Sequence, residues 1–265
     1  MSDGNITNGL RSFTGNDIAA PPYTKPAYKW DADLTLDGDV RLSQGRYKLE
    51  EYYKQAPLLN TDIAVNSNLD FEVLGTNMTS ALSTFDATRG AIRLTTAGAD
   101  NDQGYVCPHL DTKQTAWTNI LWGTENQPIW EAQITTGDDV STGVLYWAGL
   151  KLTYDPTVAT DDDQVFFRFS TDDADTNWEV VYSIGGTDTT VDSGVAVAAD
   201  TQYNFRITID DDRIARFYIN DTLVSTSTAL TDDVDLIPYI GVQALSGTAE
   251  FIRVHYQKIS RILFE

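Results

Sequence analysis

The sequence predicts an all-β fold, an antiparallel sandwich preceded by an extended N-terminal arm, on three observations. The first is the run YNFRITIDDDRIARFYIND at residues 203–221. Tyr203, Phe205, Ile207 and Ile209 alternate there with Asn204, Arg206, Thr208 and Asp210, and a period of two places the two sets on opposite faces of a half-buried strand. The second is the recurrence of such runs. From about residue 61 onward, short β-branched and aromatic stretches are separated by Gly, Asn and Asp clusters, with no sustained helical period and no fixed-length repeat. The third is the contrast with residues 1–60, where Pro21, Pro22, Pro26 and Pro57 interrupt a weakly periodic segment.

Taken in order, the arm spans residues 1–60 and the body residues 61–265. The arm has little core of its own, yet it carries Phe13, Tyr23, Tyr28, Trp30, Tyr47, Tyr52 and Tyr53. Aromatic side chains are enriched at protein interfaces, so these seven are candidate partner-binding residues. Within the arm, RYKLEEYYKQAP places Glu50 and Lys54 four apart and ends on Pro57, which predicts two turns of helix. The body predicts strands near 70–74, 90–96, 104–107, 116–122, 129–136, 144–154, 164–170, 177–184, 203–210, 213–219, 222–227, 237–244 and 249–257. Asn220-Asp221 offers residues that tolerate positive φ, so 203–227 reads as a meander of antiparallel strands. Trp130 and Trp147, set among apolar residues, are expected in the core between the sheets.

Eighteen basic and 39 acidic side chains give a net charge of −21 over 265 residues. A broad nucleic-acid or anionic-lipid surface is therefore not expected, because neutralising phosphates takes clustered Lys and Arg. The charge is uneven: residues 1–60 hold 7 basic and 8 acidic groups, leaving the body near −20. No apolar stretch approaches the ~20 residues that cross a bilayer. MSDGNITNGL has neither a basic start nor an apolar run, so no secretory route is expected and the Asn-x-Thr sites at Asn5, Asn77 and Asn220 read as incidental.

The order of strands from PIWEAQITTGDD through QVFFRFSTDDADTNWEVVYSIGG and TQYNFRITIDDDRIARFYINDTLV to PYIGVQALSGTAEFIRVHYQKI resembles the concanavalin A-like, laminin-G-like jelly-roll superfamily over about residues 65–260. The resemblance implies an antiparallel jelly-roll β-sandwich. Its turn at Asn220-Asp221 departs from the Asp-Gly more usual in the family. Coupled to an aromatic arm and an acidic body, it also resembles small virion proteins of tailed bacteriophages. It then implies a virion structural protein, a capsid decoration or cement protein docked through its arm on capsid or other virion proteins. Many copies on a lattice would follow, assembled in the host cytoplasm, with no nucleic acid and no membrane as partner.

Glucanases of the superfamily carry a Glu-x-Asp-x-x-Glu strand whose carboxylates act across the scissile bond. No Glu here has an Asp two residues on, and there is neither a Gly-x-Ser-x-Gly elbow nor a phosphate loop, so no catalytic residue and no enzymatic activity are expected. His109 and His255 are isolated in sequence, and Cys107 has no neighbouring base to mark it as an activated thiolate. Asp173, Asp175 and Asn177 mimic the first ligand positions of an EF-hand loop, but Trp178 and Ile184 stand where Gly and Glu are required, so no metal ligand and no cofactor are assigned. Trp178, beside that acidic loop, is the candidate for stacking a sugar in the alternative reading, a tail-fibre or receptor-binding carbohydrate-binding module.

Overall fold

The structure, a computed structural model, describes residues 45–60, 70–109 and 121–262. The chain separates into a large unit, Leu49–Ser260, and a small one, Met1–Lys48 with Arg261–Glu265. Most of the small unit, with Phe13, Tyr23, Tyr28 and Trp30, lies outside the described residues.

Fifteen strands are described: β1 Arg46–Tyr52, β2 Phe71–Leu74, β3 Ser83–Asp86, β4 Ala91–Thr95, β5 Gln103–Pro108, β6 Ile129–Thr135, β7 Val144–Lys151, β8 Gln164–Ser170, β9 Asn177–Ile184, β10 Thr187–Ala196, β11 Gln202–Ile209, β12 Ile214–Ile219, β13 Thr222–Ala229, β14 Ile237–Ala244 and β15 Phe251–Ile262. They form two antiparallel sheets stacked as a jelly-roll sandwich. One runs β13-β12-β11-β6-β15-β4-β3, with β1 also paired to β15, and the other runs β10-β9-β8-β7-β14-β5-β2. No helix among the described residues is long and apolar enough to cross a membrane.

The alternation of residues 203–210 is realised in β11, where Tyr203, Phe205, Ile207 and Ile209 are buried and Asn204, Arg206 and Thr208 are half-exposed. The turn into β13 places Asn220 and Asp221 at φ 49° and 64°, so two residues tolerant of the left-handed region serve where glycine is more usual. Between the sheets the core is aromatic. Phe167 stacks on Phe205 at 4.5 Å and meets Phe217 edge-on at 5.7 Å, while Trp178 stands edge-on to Phe205 at 4.8 Å. On the far face of the larger sheet, Lys258 pairs with Glu131 at 2.9 Å and Arg206 covers the Tyr218 ring at 4.1 Å, a solvated surface of the kind the alternation requires.

Two expectations are corrected. Residues 46–52 are strand β1 rather than helix, because β15 offers a long edge whose ladder bonds outweigh a two-turn helix, a length that is marginal in isolation. Tyr53, expected to face a partner, is only 3 % exposed and packs edge-on to Phe71 at 6.1 Å; Tyr47 is half-buried and Tyr52 exposed, 5.3 Å from the Tyr256 ring.

Candidate ligand-binding site

The smaller sheet differs from the larger in having no wet face at its centre: every residue of β7 and of β14 is buried. Since Phe167 and Trp178 point at the other sheet, alternation directs Phe166, Arg168 and Glu179 outward. A second apolar layer lies on that outward side, built from Tyr105, Cys107, Leu145, Trp147, Phe166, Val181 and Tyr239. Trp147, expected between the sheets, belongs to this layer.

Strand register orders the layer into rows. One row runs Tyr105, Gly241, Trp147, Arg168, Glu179, Asp192 across β5, β14, β7, β8, β9 and β10, passing from aromatic to charged. Gly241 is what lets the indole lie flat. A Cβ there would stand 2.6 Å from Trp147 Cζ2 and 2.7 Å from Tyr105 Cβ. Gly241→Ala is therefore expected to cost ~1–3 kcal/mol of stability, read as a lowered denaturation midpoint, because two large rings must shift together.

The next row, Tyr239, Gly149, Phe166 and Val181, is apolar, and the one beyond it is polar: Lys151, Gln164, Ser183, Asp188. Gln164 Nε2 donates to Ser183 Oγ at 2.6 Å, and Ser183 in turn to Asp188. Lys151 is fully buried. Its ammonium donates to the carbonyl of Asp155 and, at 3.1 Å, to that of Thr157, with Asp161 Oδ2 at 3.7 Å and the Phe166 ring centre at 5.2 Å. Burial lowers its pKa to about 8 against the pull of Asp161 and Asp155. The carbonyls it holds belong to the β7–β8 connection, residues 152–163, which crosses the apolar layer as a strap. Tyr154 stacks on Tyr105 at 5.0 Å, Val158 packs on the layer, and Thr153 Oγ1 donates to Asp161 at 2.8 Å.

Beside the strap opens a cleft of about 380 Å³, walled by Pro156, Thr157 and Val158 on one side and Asp172 and Asp173 on the other, with Leu145, Arg168, Ser170 and Gln243 on its floor. Arg168 is clamped by Asp173 at 3.1 Å and Asp175 at 3.2 Å. Gln243 is oriented by Asn101 at 2.8 Å and Gln103 at 3.2 Å. Burial raises the carboxyl pKa of both Asp175 and Glu179; Arg168 offsets part of the rise at each. Acid therefore outnumbers base around the cleft. Away from it, burial, then Asp139 and Asp138, raises Glu250 to about 7.

The residues singled out from sequence fall as follows. Trp178 is fully buried between the sheets and closed to any sugar. Asp173 and Asp175 are engaged by Arg168, and Asn177 donates to Asp192 at 2.8 Å, so the EF-hand-like triplet is a set of turn and strand contacts. His109, isolated in sequence, is joined through Nδ1 to Glu72 in a buried pair 37 residues apart, and His255 Nε2 lies 2.9 Å from Thr135 Oγ1. Sequence reasoning missed Lys151, Arg168 and Gln243. The available signal was a pair of lone cations and an amide inside otherwise apolar strands, where an unpaired charge is seldom tolerated.

Neither a family model nor a curated protein matches the chain. Solved structures do share the fold. A protein of unknown function from Shewanella oneidensis MR-1 aligns with TM-score 0.56 at 12% identity over 87% of this chain and 95% of its own. The Bacillus licheniformis beta-glucanase aligns with TM-score 0.52 at 13% identity over 80% and 97%. Alginate lyase A1-II′, of polysaccharide lyase family 7, aligns with TM-score 0.50 at 15% identity over 71% and 86%.

Proposed function

We propose that this protein recognises a carbohydrate in the cleft beside the strap. What corrects the expectation of a chain without enzymatic activity is that a beta-glucanase and an alginate lyase stand on this same sandwich: lacking the Glu-x-Asp-x-x-Glu strand removes one catalytic pair, not catalysis. At these identities the likeness conveys architecture, so the functional reading is carried by one observation, the composition of the cleft. Leu145, Pro156 and Val158 supply apolar surface for C–H faces, while Arg168, Ser170, Thr157 and Gln243 converge hydrogen-bonding groups on the same space. Such a cleft falls in the size range of small-ligand sites, and its few polar groups on apolar walls suit a hydroxyl-rich ring.

The test is calorimetric titration with glucan and alginate oligosaccharides, with reducing ends assayed in the same samples to report cleavage. Gln243→Leu is expected to weaken binding about tenfold while the far-UV spectrum is kept, the loss of one or two oriented hydrogen bonds. Absence of saccharide binding, or an unchanged affinity in the variant, overturns the reading. Docking on capsid or other virion proteins through residues 1–60 finds no comparable support among the described residues, where Tyr53 is sealed in the core.

A further inference from the structure

We infer that the site continues under the strap, and that residues 152–163 are a lid over an aromatic subsite for a neutral polysaccharide chain. The inference rests on the carbohydrate reading of the cleft and deepens it.

Four buried polar atoms on the outward side of the smaller sheet have no hydrogen-bond partner among the described residues: Trp147 Nε1, Tyr239 Oη, Arg168 Nε and Gln164 Oε1. Trp147 and Tyr239 are fully buried, their ring centres 5.8 Å apart. A layer that only had to seal the sheet would be served by phenylalanine at both positions. An indole N–H and a phenol that stay unpaired add nothing to the closed state and cost it their desolvation. Both groups can hydrogen-bond hydroxyls while their rings stack on a sugar face.

The strap is weakly fastened for a segment that hides so much aromatic surface. Its regular structure is one 3-10 turn, Val158–Thr160, without a side-chain cap, and a single bridge residue at Thr153. Its fastenings to the rest of the fold are polar, from Lys151 to the Asp155 and Thr157 carbonyls, Gln164 to the Val158 carbonyl, the Gly186 N–H to the Asp162 carbonyl, and the Gly185 N–H and Thr231 hydroxyl to the Asp163 carboxylate, together with the exposed Tyr154 ring on Tyr105. The bonds to Asp162 and Asp163 lie at the β8 end of the strap, where they can serve as its hinge, while water can replace the other polar fastenings when the middle lifts, so opening loses little beyond the contacts of Tyr154 and Val158. The strap is also one wall of the cleft. Lifting it joins the cleft to the row Tyr105, Gly241, Trp147, Arg168, a groove about 14 Å long at the spacing of neighbouring strands. Because the Trp147 indole lies over Gly241, the middle of that row presents a ring face to a ligand lying across it. The carboxylates of Asp155, Asp161, Asp173 and Asp175 border this path and its two cations already face them, which favours an uncharged chain over a uronate.

The experiment is a length series of linear glucan oligosaccharides, dimer to octamer, titrated into wild type, Tyr154→Ala and Trp147→Phe. Affinity is expected to climb with length. Tyr154→Ala, which removes the ring that holds the strap on Tyr105, is expected to raise affinity for the octamer about fivefold and leave the dimer unchanged, because it raises the open fraction that long chains must select. Trp147→Phe keeps an aromatic ring and deletes the N–H; it is expected to lower octamer affinity several-fold with dimer affinity unchanged, alongside the modest fall in melting temperature that a smaller buried ring brings. Affinity independent of length and indifferent to Tyr154→Ala would make the strap a fixed wall, overturning the lid while leaving the cleft. Failure of every length to bind overturns both.

Discussion

Trp178→Ala is expected to destabilise the sandwich by about 3–5 kcal/mol, the usual cost of deleting a buried aromatic ring and leaving its cavity. The ring is fully buried and bridges the sheets, edge-on to Phe205 at 4.8 Å and to Tyr203 at 5.4 Å, and it also meets Phe169 and Tyr146 of its own sheet. Four aromatic neighbours held in one arrangement cannot all move inward to fill the space, which places the cost toward the upper end of that range. Set against a typical domain stability of about 5–15 kcal/mol, one substitution removes a large share. Urea denaturation gives the measurement: a midpoint lowered in proportion, with an unchanged slope. A sugar-stacking role would produce the opposite pattern, wild-type stability with lost ligand binding.

The burial of Trp178 is not legible in the sequence because period-two alternation separates two faces without saying which one meets the other sheet. In β11 and β12 one face is solvated, so Asn204, Arg206 and Thr208 identify the wet side and the assignment follows. In β7 both faces are covered, and the run Val144–Lys151 contains no polar residue before its last to break the tie. Trp147 and Trp178 therefore look alike in the text, although one faces the strap and the other the opposite sheet. Strand β10 was missed for the converse reason: Thr187–Ala196 is an edge strand, exposed or half-exposed throughout, and its pairing comes from β9 through the Gly185-Gly186 turn. Strand β1 was misread because its stability comes from β15, about two hundred residues later in the chain. Glu72 with His109 and Arg168 with Gln243 were invisible for the same reason, since register rather than proximity in sequence brings them to one surface.

Between pH 8 and 10.5 the stability of wild type relative to Lys151→Met is expected to rise by an amount of order 3 kcal/mol. Burial lowers the Lys151 ammonium from its ordinary 10.5 to about 8, while Asp161, Asp155 and Asp188 oppose the shift. Between these values the unfolded chain keeps a proton that the folded one has released, and stability grows with pH wherever the unfolded state binds more protons. Below about 8 both states are charged and the full desolvation cost is carried. Measuring the difference from Lys151→Met matters because burial raises the phenols of Tyr105, Tyr146 and Tyr239, whose contribution declines with alkali and would mask the rise in wild type alone. A difference that stays flat across the window would mean the amine is in water. The same desolvation acts on the strap. Lifting it wets the amine and restores its ordinary pKa, so the charged form at neutral pH favours the open state and alkali the closed one. Octamer affinity should therefore fall from pH 8 to 10.5 while dimer affinity holds, which links the buried lysine to the length dependence through a second, independent measurement.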